Sequence, residues 1–285
     1  MPREVVIDGC TILLAEPVEV PRRPFIGRGE ELEMCRIAWG VSLDGERLLD
    51  DARPPLNFRL EGAPGMGKNE LVYEIARCLD MPLYIVQGHE ELTPEDLALL
   101  LTPDPKAQLD TGVPLVLRAS PLATALFEGA LFFFDEINRV PDRALSPLAS
   151  VLDGRQSIYS AMTGLHIGPP DDEAKARFRF CCALNPSLSN AGHVLPEYIE
   201  QRTLPVIEVK PPTFDELLTI LNARLNLSPE FIVAFEQWYA EERYEVSVRQ
   251  ALALMTYAVN YEEQVGGEKI GILRKFAARV LGRGR

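Results

Sequence analysis

NFRLEGAPGMGKNELVYEIA, residues 57–76, decides the fold. A short apolar run enters a loop made of Gly62, Ala63, Pro64, Gly65, Met66, Gly67 and Lys68, and a helical pattern follows. Strand, loop and helix in that order are the context a phosphate-binding loop requires. Its glycines let the backbone turn N–H groups inward on a polyphosphate, the helix offers the positive end of its dipole, and Lys68 reaches the β and γ phosphates. The spacing predicts a nucleoside triphosphate site. One position departs from the pattern: Asn69 stands where a Ser or Thr hydroxyl would ligate Mg²⁺. The amide still carries an oxygen donor, so weakened or slower hydrolysis is expected more than lost binding.

Four further apolar runs, 83–86, 131–134, 178–184 and 206–209, read as buried parallel strands, with helix-compatible stretches between the early ones. That alternation predicts an α/β fold. In ALFFFDEIN, residues 130–138, the strand ends in Asp135 and Glu136, which places both at the carboxyl edge of the sheet beside the loop. Asp135 can hold the water shell of Mg²⁺ while Glu136 orients and deprotonates the attacking water. In FRFCCALNPS, residues 178–187, another strand ends in Asn185, an amide able to position that water with Glu136. After Pro211 and Pro212 the strand runs cease and four helical stretches follow.

The 285 residues carry 29 basic and 42 acidic side chains, a net charge of −13, with 47% hydrophobic residues. Fibrous and disordered classes fall on that composition, and a surface devoted to nucleic acid or anionic lipid is disfavoured. No stretch reaches the ~18–20 uninterrupted apolar residues of a membrane span. The N-terminus lacks the features of a secretory signal, so a cytoplasmic location is expected. Cys10, Cys35, Cys78, Cys181 and Cys182 contain no Cys-x-x-Cys and read as reduced, mostly buried side chains; His89, His166 and His193 have no zinc-ligand spacing. Asp8-Gly9 between two apolar runs predicts a small N-terminal β hairpin. A helix is expected from about Arg28 to about Leu49, broken by Pro54-Pro55. The last helix gathers Lys269, Arg274, Lys275, Arg279, Arg283 and Arg285, either as a solvated basic face or as a contact for an acidic partner.

GAPGMGK, FFFDEINRVPDRALSPLASVLDGRQ and CCALNPSLSNAGHVLPEYIEQRTLPVIEV, taken together, resemble the AAA+ ATPases, and within them the MoxR-type and dynein-related group. The resemblance covers roughly residues 24–254. It implies a P-loop NTPase core with a five-stranded parallel sheet in the order 5-1-4-3-2 and a C-terminal all-helical lid. The corresponding division is a hairpin extension over 1–20, an α/β core over 21–210 and the lid over 211–285. Asp135 and Glu136 would be Walker B and Asn185 sensor 1. Arg202, in LPEYIEQR, falls at the arginine finger, and Arg249, in SVRQALALM, at sensor 2. On residues alone Arg202 is equally a surface ion pair and Arg249 a solvent-exposed helix start. Arg139 is a weaker candidate for contact between subunits. Residues 104–118 and 156–168 would line the pore of a ring, and FIGR, residues 25–28, would form part of an adenine pocket.

These implications give an ATP- and Mg²⁺-dependent ring protein, hexameric, acting as a chaperone-like remodeller of a protein partner, often one holding a von Willebrand A-type domain. Two other readings stay open. One is a nucleotide-gated switch with weak hydrolysis, marked by Asn69; the other is a nucleic-acid motor subunit, which the net charge opposes.

Overall fold

The computed structural model describes residues 3–42, 44–49, 54–103, 115–186, 193–241 and 246–282. Its contacts divide the chain into two units: Met1–Pro21, Glu30–Glu61 and Asn69–Glu208 form one, and Arg22–Gly29, Gly62–Lys68 and Val209–Arg285 form the other.

In the first unit, β1 (Glu4–Ile7) and β2 (Cys10–Leu13) pair antiparallel across Asp8 and Gly9, whose φ values of 47° and 79° suit a two-residue hairpin turn. Helix α1 (Gly29–Trp39) stops well short of residue 49. Gly40 takes a left-handed φ of 64° and Val41 bridges back to Leu48, so this stretch folds into a turn. Then come β3 (Phe58–Glu61), α2 (Lys68–Leu79), β4 (Leu83–Gln87), β5 (Leu99–Pro103), β6 (Leu115–Ala119), α3 (Pro121–Glu128) and β7 (Leu131–Asp135). They are followed by α4 (Leu148–Val151), β8 (Ile158–Tyr159), β9 (His166–Ile167), α5 (Asp172–Arg177), β10 (Arg179–Leu184), α6 (Glu197–Glu200) and β11 (Val206–Glu208).

Five strands form one parallel sheet, β11-β3-β10-β7-β4, which is the expected order 5-1-4-3-2. Strand β7, LFFFD, is buried throughout, as strands covered on both faces are. Phe132 stacks on Phe180 with ring centroids 5.6 Å apart inside the main core. Helix α3 is capped at both ends: Ser120 Oγ accepts from the Ala123 N–H, Pro121 opens the helix, and Gly129 closes it at φ 62°.

The N-terminal hairpin is not a free appendage. A second sheet runs β1-β2-β6-β5, with β2 parallel to β6. Of the stretch 104–118 that the resemblance assigns to the pore of a ring, residues 104–114 lie outside the described residues, while 115–118 fall in β6. The other such stretch, 156–168, carries β8 and β9, paired antiparallel. All five cysteines are free thiols, and burial pushes Cys182 up to about 12, where it stays protonated and unreactive.

The second unit contains α7 (Phe214–Leu225), α8 (Pro229–Glu241), α9 (Val248–Val265) and α10 (Lys269–Val280) around a core that includes Leu221, Phe235, Leu254 and Leu273. Thr213–Glu216 and Ser247–Gln250 make reciprocal capping boxes on α7 and α9. On α10, Lys269 pairs with Glu262 at 3.1 Å, Arg274 pairs with Glu241, and Lys275 lies over the Tyr261 ring, so these cations are engaged within the unit. Arg283 and Arg285 lie outside the described residues. Among the described residues no helix is long and apolar enough to cross a membrane.

Arg3 clips the hairpin down: its guanidinium pairs with Glu128 and donates to the Ala15 carbonyl and, at 2.9 Å, to Tyr84 Oη. Arg3→Ala is expected to cost about 1–2 kcal/mol in denaturant unfolding, since the group is about a third exposed. Amide exchange over residues 4–13 should accelerate; unchanged exchange there would show that strand pairing alone holds the hairpin.

Candidate functional site

The second unit holds the loop. Gly65 and Gly67 sit at φ 80° and 87°, a region that side chains beyond glycine rarely adopt, which lets the turn curl its amides inward. The space is also taken. A Cβ on Gly62 would lie 2.6 Å from the Val209 carbonyl, and one on Gly65 would lie 3.2 Å from both Ser247 Oγ and Arg249 Cβ. The start of α9 therefore packs on the loop, and this brings Arg249 to it although the residue is exposed overall. Lys68, 6% exposed, donates from Nζ to the carbonyls of Gly62 at 2.6 Å and Ala63 at 3.2 Å. Pro64 is exposed at the tip and Met66 is buried. Arg28, 8% exposed, comes from the segment expected to serve the adenine pocket.

The first unit holds the carboxylates. Asn69 follows Lys68 directly in α2, and its Nδ2 donates to Asp135 Oδ2 at 3.1 Å. The other oxygen, Oδ1, accepts from the Glu136 N–H at 2.9 Å. Glu136 adopts φ 51° and ψ 42°, left-handed for a residue with a Cβ. Its carboxylate is bracketed: Oε1 accepts from Asn185 Nδ2 at 3.1 Å, and Oε2 accepts from Arg139 Nη1 at 2.8 Å. Asn185 is 3% exposed just past β10, and its carbonyl accepts from Asn138 Nδ2 at 3.5 Å. Asp135, Glu136 and Asn185 thus meet at the carboxyl ends of β7 and β10. Arg202 is exposed after α6, with Nη1 donating to the Tyr198 carbonyl at 3.2 Å.

Two further positions shape the site: Gly88, which no motif names, and Arg139, expected as a weaker candidate for contact between subunits and here paired with Glu136 of its own chain. Gly88 follows β4, and a Cβ there would collide with the Glu136 carbonyl, so glycine is what lets the Glu136 backbone close in. Nothing in its local pattern separates it from an ordinary loop glycine. Arg139 follows the DEIN stretch, and its ion pair with Glu136 depends on the left-handed turn at Glu136, which composition does not reveal.

The donor set fits a hard divalent cation. Asp135 supplies carboxylate oxygens, and a half-turn of the Asn69 amide exchanges Nδ2 for Oδ1 facing the same space. Among the described residues no cluster of three or more His, Cys, Asp or Glu exists, so protein carboxylates alone would not cage the ion. One carboxylate and one amide oxygen suit Mg²⁺, which keeps waters and takes phosphate oxygens beside one or two protein ligands.

Residues 57–203 match the family model of the AAA domain, dynein-related subfamily. The denitrification regulatory protein NirQ of Pseudomonas aeruginosa is 26% identical over 258 residues, covering 90% of this chain and 83% of that one. Midasin of Giardia intestinalis is 27% identical over 207 residues, 72% of this chain, which itself spans only 4% of that much longer protein. Among solved structures, the Holliday junction branch migration motor RuvB of Thermotoga maritima superposes with a TM-score of 0.58 at 18% identity. It covers 92% of this chain and 72% of its own, a likeness of fold.

Gly88→Ala is expected to destabilise the chain by about 1–3 kcal/mol through overpacking against the Glu136 carbonyl. Gly154→Ala, at φ 86° but with open space around it, should lose only the smaller backbone term. Equal losses in urea titrations would refute the close approach.

Proposed function

The chain belongs to the dynein-related subfamily of AAA domains, a family of ATPases, and from that premise we propose that it is an ATP-hydrolysing ring protein that remodels or activates a protein partner. The observation that carries this reading is the Glu136 carboxylate, held by Asn185 and Arg139 one residue beyond an Asp135 tied to Asn69.

The loop amides and Lys68 bind the phosphates of ATP. Asp135 and Asn69 would hold Mg²⁺, which when bound would supply positive charge to offset what develops on the phosphates. Glu136 accepts a proton from a water whose oxygen attacks the γ phosphorus in line. The bond to the bridging oxygen breaks, and ADP and phosphate leave. Asn185 aims the carboxylate through its hydrogen bond to Oε1. Arg249, at the loop, contacts the nucleotide from the helical unit. Arg202, exposed after α6, serves a neighbouring subunit as an arginine finger, a contribution of about 10³–10⁵ in rate where such fingers act. Assembly, six subunits in a ring, is then part of the active site. The β8–β9 hairpin, with Tyr159 exposed and 4.9 Å from the His166 ring, suits contact with a polypeptide at the ring's pore.

A protein client is the favoured substrate, and one holding a von Willebrand A-type domain is the class proposed; NirQ, a denitrification regulatory protein, accords with a role exercised on another protein. The proposed location is the cytoplasm. The switch reading keeps one observation in its favour, the Asn69 amide bonded to Asp135 where a hydroxyl is usual. Turnover measurements decide between them.

Glu136→Gln should retain ATP and a ring-sized species in light scattering while hydrolysis falls at least 100-fold. Hydrolysis at the wild-type rate would remove Glu136 from the chemistry, and a wild type that binds ATP without turnover would favour the switch.

Arg202→Ala should leave ATP affinity within about twofold and abolish turnover. Mixed with Lys68→Ala chains it should recover part of the activity, because each mutant supplies what the other lacks. A mixture as inactive as its components argues that the arginine does not act across an interface.

A further inference from the structure

We propose that Thr203, tied to β3 by Arg59, is a positioning residue that sets Arg202 for its reach into a neighbouring subunit. The inference rests on the arginine-finger reading of Arg202 and adds the residues that aim it.

An arginine acting on another chain's nucleotide carries a long side chain with many rotamers, so its backbone has to be fixed by something stiffer than a surface turn. A shift of about 1 Å far from the chemistry can cost about 10²-fold in rate. Arg202 is exposed, yet the peptide groups on both sides of it are held. Its N–H donates to the Ile199 carbonyl at 3.1 Å, and its carbonyl accepts from Asn57 Nδ2 at 3.3 Å. The next residue, Thr203, is fully buried. Its hydroxyl donates to the same Ile199 carbonyl at 2.8 Å and accepts from Arg59 Nη1 at 3.0 Å. One hydroxyl thus closes the turn that carries Arg202 and fastens it to a strand.

That strand is stiff, because β3 lies between β11 and β10 in the parallel sheet. Arg59 is 8% exposed, and its Nε donates to Glu61 Oε1 at 2.7 Å. With Nε committed to Glu61 and Nη1 to Thr203, the planar guanidinium spans two fixed points. Holding β11 to the sheet does not call for this side chain. Backbone pairing does that, with Val206 opposite Arg59 and the Arg59 N–H donating to the Pro205 carbonyl at 3.1 Å. A buried ion pair is weak support for stability, since apolar residues of similar volume often serve as well or better. What the arginine adds is direction: it locates the residue next to Arg202 from a strand inside the sheet.

The test uses the full chain and ATP turnover. Thr203→Val removes the hydroxyl at nearly constant volume. It should lower turnover by about 10- to 100-fold while ATP affinity stays within about twofold, and Thr203→Ser should restore most of the rate. Wild-type turnover in Thr203→Val, or an equal loss in Thr203→Ser, overturns the proposal.

Two mixtures separate aim from general damage. Lys68→Ala chains keep Arg202 but lack the phosphate-binding lysine; mixed with them, Thr203→Val should recover turnover, because its own site is sound and receives a well-aimed arginine. Arg202→Ala chains keep the site but bring no arginine, and mixed with them Thr203→Val should stay slow. The reverse pattern, or no recovery in either mixture, places the damage in the variant's own site or fold and overturns the proposal. If Thr203→Val lowers the melting temperature markedly, Arg59→Met cuts only the tie to β3 and has to give the same pair of outcomes; any other pair refutes the clamp. Arg202→Ala chains that turn over ATP at the wild-type rate refute the arginine-finger reading itself, and this inference falls with it. Inactive Arg202→Ala beside fully active Thr203→Val refutes this proposal alone.

Discussion

Backbone pairing of β7 with β10, Phe134 opposite Cys182, and of β10 with β3, Leu184 opposite Glu61, decides where the apolar strands run out. Asp135 ends one strand and Asn185 follows another, so a shift of either pairing would part the amide from the carboxylates. Alternation of apolar and polar residues cannot set this register, because β7 is buried on both faces. Packing does. Phe132 against Phe180 fits one alignment, and the two-residue link from α3 into β7 pins the strand's start. Gly129 in that link turns at φ 62°, and a Cβ there would come within 2.5 Å of the Ala174 carbonyl.

Strain at Glu136 is the local consequence of ending a strand in a functional turn. A left-handed non-glycine residue costs on the order of 1 kcal/mol or more, and it survives only where neighbours over-determine it. Here Asp135 accepts its N–H, Gly88 makes room for its carbonyl, and Asn185 and Arg139 hold its two carboxylate oxygens. Every polar atom of the residue is thereby directed, and the aim of the carboxylate does not depend on a flexible side chain finding its own rotamer.

The parallel sheet was legible because its strands are short unbroken apolar runs, and their polar ends named Asp135, Glu136 and Asn185 directly. What local pattern could not supply is non-local. The N-terminal hairpin showed its turn in Asp8-Gly9 but not its partner, since pairing of β2 with β6 joins residues about a hundred positions apart. The overlong reading of α1 has a different cause: Leu48 and Leu49 continue an apolar rhythm that Gly40 interrupts conformationally, and periodicity registers the rhythm alone. Gly88 and the Arg139–Glu136 pair lay outside that reading for one reason. Each acts through a backbone conformation, and composition does not encode the side on which a left-handed turn delivers a side chain.

A chain of net charge −13 is an unpromising host for a polyanion until distances are considered. At physiological ionic strength the Debye length is about 8 Å, so acids scattered over the surface contribute little at a buried loop, whereas charges within a few ångströms act almost unscreened. Lys68 is part of that loop, and Arg28 lies against its last glycine. The acidic surface disfavours extended polyanions such as nucleic acids, which must lie along tens of ångströms of protein, and leaves a compact triphosphate unaffected.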